Sequence, residues 1–157
     1  MKKKIIILMM LTISSTSFAN TICKENYLVI NGFSHHFSRK TRYARENGYN
    51  EINYGLGYKC QLNDWGSFHQ DAEFGYLKNS YRADSFYISY SILKPISKDF
   101  SLGLRASINS GYEMLESSHH GLLVGVAPTI QYNITNNIKS NLALAPNFLF
   151  LNFQYKF

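Results

Sequence analysis

After its first twenty residues the chain has no long apolar run, which excludes membrane-spanning helices from the remainder. Cysteine is scarce. Cys23 and Cys60 are the only two, so one intrachain bridge is available, and in an oxidising compartment they are either a disulfide or two independent thiols. Small residues are missing ahead of Cys23, which sets aside a lipid-attachment role. Excess charge is missing as well: the formal net charge of +6 falls to +3 once Lys2, Lys3 and Lys4 are taken away. Nucleic acid is therefore not an expected partner, and no metal or soluble cofactor is implied.

What is present begins with MKKKIIILMMLTISSTSFAN. Three lysines, an apolar stretch from Ile5 to Leu11 and a small-x-small ending at Ser17-Phe18-Ala19 predict a signal peptide over residues 1–19. A transmembrane helix is the alternative, but the apolar core is short for a span and no stop-transfer pattern comes after it. Residues 20–157 then make one exported bacterial domain.

That domain alternates. Near the end, Leu149, Leu151, Phe153, Tyr155 and Phe157 share one face, against Phe148, Phe150, Asn152, Gln154 and Lys156 on the other. Likewise Leu102, Leu104, Ala106 and Ile108 oppose Ser101, Gly103, Arg105 and Ser107. Eight strands are predicted, over 26–38, 50–62, 66–78, 82–93, 99–110, 120–132, 138–146 and 148–157. Brief separators at 62–64, 94–98 and 133–137 contrast with long polar ones at 39–49 and 111–119. Short turns on one side and long loops on the other predict an all-β fold, an eight-stranded antiparallel transmembrane barrel of the outer-membrane type, located in the bacterial outer membrane. The strand lengths suit a tilted crossing. In that topology Cys23 and Cys60 fall at the same rim, which favours a bridge. The aromatic Tyr155 and Phe157 of the last strand look like the signal read by barrel-assembly machinery, and a monomer is expected.

On the first strand, the alternation assigns Leu28, Ile30, Gly32, Ser34 and His36 to the inner face, with Tyr27, Val29, Phe33 and Phe37 toward lipid. His35 is expected among lipid headgroups. Asp71 and Glu73 on strand three and Arg105 on strand five share the inner face, where they predict a structural ion cluster filling the lower barrel.

The loop-side residues carry a resemblance. His36 ends the first strand, Tyr49-Asn50-Glu51 comes after the first loop, Lys78-Asn79-Ser80 ends the third strand, and Pro128 and Pro146 stand in strands six and seven. With this spacing the chain resembles the lipid A palmitoyltransferase (PagP) family, from about Ser34 to Phe157. The resemblance implies acyl transfer, of palmitoyl, from a phospholipid donor to lipid A. Its site would consist of His36 as general base, Ser80 binding the carbonyl oxygen or acting as nucleophile, and Asn79 orienting the imidazole. It also implies a seam at Pro128 and Pro146 through which lipid enters sideways.

Three departures from the family pattern stand out. Asn79 replaces an aspartate, only Asn20 to Glu25 stand where the family has an amphipathic helix, and Asn31 and Asn53 replace prolines at the family's second lateral opening. Arg39, Lys40, Arg42 and Arg45 of the first loop suit phosphate contacts at the outer surface, or form an ordinary solvated loop. Two other functions compete. One is a lipid A or phospholipid deacylase, with His36-Phe37-Ser38 as its His-x-Ser, and the other is a non-enzymatic small barrel.

Overall fold

The computed structural model describes residues 22–38, 42–113, 115 and 118–157. The predicted signal peptide, together with Arg39 and Lys40, lies outside the described residues. Eight strands succeed one another: β1 (Glu25–His36), β2 (Ile52–Gln61), β3 (His69–Lys78), β4 (Asp84–Pro95), β5 (Phe100–Asn109), β6 (Leu123–Asn133), β7 (Ile138–Leu144) and β8 (Phe148–Lys156). Each pairs antiparallel with the next, and β8 closes on β1, so the eight strands form a closed circuit. A closed barrel is the one β form that satisfies its backbone inside hydrocarbon.

The outer surface is the apolar one. Leu56, Phe74, Phe86, Ile88, Leu104 and Val126 are all more than half exposed on it, while serine, asparagine, glutamine and charged side chains are buried inside. A water-soluble barrel would show the reverse. The molecule is therefore a transmembrane barrel of the outer-membrane type, as the alternation predicted. Among the described residues no helix is long and apolar enough to cross a membrane.

One predicted face is wrong in part. Tyr27 and Val29 are fully buried, whereas Leu28 and Ile30 are exposed at 39% and 46%. A register irregularity between Asn31 and Phe33 interrupts the pairing of β1 with both neighbours. Such a bulge adds one residue and reverses the pleat beyond it. Inner positions thus run Tyr27, Val29, Asn31 and then Ser34, so the upper half of β1 faces as expected and the lower half does not. Tyr27 belongs inside because its hydroxyl has a partner there, Glu25.

The lumen is plugged by paired charge on the short-turn side. Lys59 Nζ donates to Asp71 at 2.8 Å, Gln131 at 2.9 Å and Gln154 at 2.7 Å. Arg105 makes a two-pronged bond to Glu73 at 2.9 and 3.2 Å, and the Tyr87 hydroxyl donates to the same carboxylate at 2.9 Å. These charges sit almost without solvent, so each needs its partner. Asp71, Glu73 and Arg105 are the inward charges expected from the alternation, and Lys59 is an unpredicted fourth. Room for Tyr87 comes from the facing pair Gly57 and Gly75, since a Cβ on either would meet its hydroxyl within 2.7 Å.

At the short-turn rim Cys23 is disulfide-bonded to Cys60, with Cα atoms 5.2 Å apart. On the opposite rim, the loop expected at 39–49 contains a short helix, α1 (Arg42–Asn47). Gly48 ends it in the left-handed conformation (φ 69°), its N–H bonded to the Ala44 carbonyl. The Arg82 guanidinium then donates to the carbonyls of Asn47 and Gly48. A cation at this pole favours the helix and ties it to the β3–β4 turn.

Candidate active site

The imidazole of His36 is held at the loop end of β1, at the position paired with Phe148 of β8. Its ring stacks on Tyr49 at 3.8 Å (21° between planes) and on Phe148 at 5.3 Å (25°), and its side chain is 9% exposed. Nδ1 is buried and makes no hydrogen bond. The nearest carboxylate is Glu51, whose Oε1 stands 3.7 Å from Nδ1 and accepts the backbone N–H of His36 at 3.1 Å. Oε2 of the same group lies 3.3 Å from Nδ1 of the exposed His35. Partial burial pushes the Glu51 carboxyl upward. The His36 N–H, the His35 ring and the nearby histidine charge outweigh this and hold it below the usual glutamate value.

Asn79 and Ser80 form the start of the β3–β4 turn. Asn79 is fully buried, and its amide is spent on the turn and on the neighbouring β5–β6 loop. Oδ1 accepts the N–H groups of Tyr81 at 2.9 Å and Ala83 at 3.0 Å, and Nδ2 donates to the Gly111 carbonyl at 2.6 Å. Neither amide atom hydrogen-bonds the imidazole of His36, which the resemblance gives Asn79 the role of orienting. Asparagine suits this position since an aspartate would lose the donor to Gly111 and set a carboxylate against a carbonyl oxygen.

The segment after the first loop links the two sides of the mouth. Asn50 donates its backbone N–H to the Ser80 carbonyl at 2.9 Å and its side-chain amide to the Asn79 carbonyl at 3.1 Å. Tyr49, stacked on His36, meets Tyr81 edge-on at 5.7 Å, and Tyr81 meets Tyr43 and Tyr112 at 5.4 and 6.0 Å. His36 and Ser80 thus share one rim and one aromatic roof, without a hydrogen bond between them.

Beneath the roof lies a cavity of about 230 Å³. Ser80, Ser34 and Tyr112 are in its upper wall, Tyr87 and Arg105 in its floor, and Phe148, Phe150, Leu123 and Ala127 on its sides. His36 is not a wall residue, but its stacking partner Phe148 is. Burial pushes the Tyr112 phenol up to about 12, so it stays protonated at neutral pH.

The cavity walls include both strands of a gap. β6 and β7 pair only from Thr129↔Ala143 to Asn133↔Lys139, whereas β6 pairs with β5 along its full length. From Leu123 to Pro128, then, β6 has no β7 partner, and Leu123 to Ala127 line the cavity together with Ala143, Ala145 and Pro146. Pro128 marks the residue where pairing stops, and Pro146 lies just past the end of β7. Proline supplies no N–H to a ladder, which suits both positions. On the other side, Asn31 bonds to the Tyr76 carbonyl and the Tyr87 hydroxyl, and Asn53 to the Lys78 carbonyl at 3.0 Å. The β1–β2 ladder there runs up to Phe33↔Ile52, so no matching gap exists between those strands.

Of the loop cations, Arg42 is bonded to Glu46 one helical turn on, at 2.9 Å, and Arg45 is exposed in the last turn of α1. Sequence reasoning takes Glu51 only as a motif letter and misses Lys59 and Arg82. The available signal for Lys59 is its place on the same face as Asn53, Gly55 and Gly57.

No family model matches the chain, and no curated protein matches it. Among solved structures it is similar to the outer membrane protein Ail of Yersinia pestis, whose backbone structure was determined in a phospholipid bilayer nanodisc. The identity is 12%, over 85% of this chain and 99% of that one, with a TM-score of 0.43.

Proposed function

We propose that this barrel transfers an acyl chain from a phospholipid to lipid A in the outer leaflet, with His36 as general base and Ser80 as the hydroxyl that holds the reacting carbonyl. The observation that carries the reading is the joined space: an apolar-sided cavity that reaches Ser80 at its top and meets the β6–β7 gap at its side. A lipid tail entering between those strands leaves hydrocarbon only to enter an apolar wall, so little desolvation opposes it. Its ester would then stop near the polar rim. In the reaction a lipid A hydroxyl attacks the ester carbonyl, His36 takes the hydroxyl proton, and the lysophospholipid alkoxide leaves with that proton. The Ser80 hydroxyl donates to the oxyanion. Arg42 and Arg45 on the exposed helix above supply cations for the acceptor's phosphates.

Purified protein in mixed micelles with phospholipid and lipid A tests this. Wild type should yield acylated lipid A, and His36→Ala and Ser80→Ala should each lose on the order of 10²-fold or more in rate. Equal rates in all three proteins would remove the site. Free fatty acid without acylated lipid A would point to deacylation instead.

A non-enzymatic barrel is the second reading. What favours it is the commitment of Asn79 to the turn and the lack of a hydrogen bond between His36 and Ser80. Under it, His36→Ala cells would keep full outer-membrane integrity.

A further inference from the structure

We propose that Glu51 is the positioning residue for His36, fixing which imidazole nitrogen carries the proton. The inference rests on the acyltransfer reading for its consequence, and on geometry for its substance. Nδ1 of His36 is buried without a hydrogen-bond partner, a condition that costs free energy unless a nearby group approaches it. The Glu51 carboxylate stands 3.7 Å away and is anchored to the backbone N–H of His36 itself. A small rotation of the ring therefore closes the contact without moving the anchor, and such bonds tighten when substrate arrives. Tyr49 and Phe148 lie on the ring nearly parallel to it, which restricts the imidazole to motion in its own plane. Asn79 does not compete for the role, because its Oδ1 is bonded within the turn and its Nδ2 to Gly111. The second Glu51 oxygen faces His35, so one carboxylate serves two rings and is held at both ends.

The tautomer sets the chemistry. With Nδ1–H directed at the carboxylate, Nε2 keeps its lone pair and is the nitrogen able to take a proton from the acceptor hydroxyl. Once Nε2 is protonated, the negative Glu51 stabilises the imidazolium. A leucine at this place keeps much of the size but offers Nδ1 no acceptor, which favours the Nε2–H form, the wrong one for a base. A glutamine would not, because the oxygen that accepts the His36 backbone N–H is the one that faces Nδ1.

The test uses the full chain, labelled with ¹⁵N-histidine and held in lipid nanodiscs, with the His36 signals assigned by their loss in His36→Gln. Wild type should show the Nδ1–H tautomer, Glu51→Leu should shift the population toward Nε2–H, and Glu51→Asp should retain most of the wild-type pattern. In the acyl-transfer assay Glu51→Leu should lower kcat by about 10²-fold with KM nearly unchanged. If wild type transfers no acyl chain while Glu51→Leu still switches the tautomer, the functional reading fails and the positioning role stands. A His36 tautomer indifferent to Glu51→Leu would overturn the proposal, as would unchanged kcat in that variant of an active enzyme.

Discussion

The side chain of Asn79 shows how a single residue can be misread when its position is known but its bonds are not. By sequence it stands where a resembling family has a catalytic aspartate, so it reads as a weakened orienting group. Its three hydrogen bonds lie within the β3–β4 turn and across to Gly111, and they explain the amide directly: only asparagine both accepts from Tyr81 and Ala83 and donates to a carbonyl. Asn79→Asp should therefore destabilise the barrel by about 1–3 kcal/mol, the cost of an unmatched buried polar pair, without raising the acyl-transfer rate. Urea unfolding of the refolded protein in liposomes measures this, and equal stability would contradict the assignment. His36 was legible because a histidine closing an alternating strand is conspicuous. Glu51 was not, because its role depends on the path of a loop that no local pattern determines.

Among the elements, the strands were visible wherever small or polar residues alternate with large apolar ones, as in β5 and β8. β1 misled because Tyr27-Leu28-Val29-Ile30 is apolar on both faces, and a bulge beside Gly32 changes the pleat midway. A one-residue insertion leaves no compositional mark. The β6–β7 gap was half legible: Pro128 pointed to it, but the short reach of β7, ending at Leu144, did not follow from any breaker before Pro146. Gly125 lies on this unpaired stretch, lines the cavity and has open space around its Cβ direction. Gly125→Phe should thus leave the thermal midpoint nearly unchanged while reducing acyl transfer at least tenfold, because the ring occupies the space assigned to the chain. Full activity in a correctly folded Gly125→Phe barrel would detach the cavity from the reaction.

The whole molecule divides along its axis. Toward the short turns, Lys59, Asp71, Glu73 and Arg105 fill the lumen with paired charge and polar partners, and the Cys23–Cys60 bond secures the rim. Toward the long loops the lumen is open, roofed by aromatic rings, and flanked by the gap. The plug gives that half a floor, so the cavity is a cup that opens sideways at the β6–β7 gap. The overall architecture was legible because lipid outside and polar residues inside impose one period on all eight strands. The cup was not, since it depends on which inward residues meet across the lumen. The central claim is that this cup takes a lipid tail and passes it to lipid A. Mass spectrometry of lipid A from cells producing the wild-type protein or the His36→Ala variant tests it most directly. The account predicts a lipid A species heavier by one acyl group with wild type and its absence with His36→Ala, and identical lipid A from both cells would contradict it.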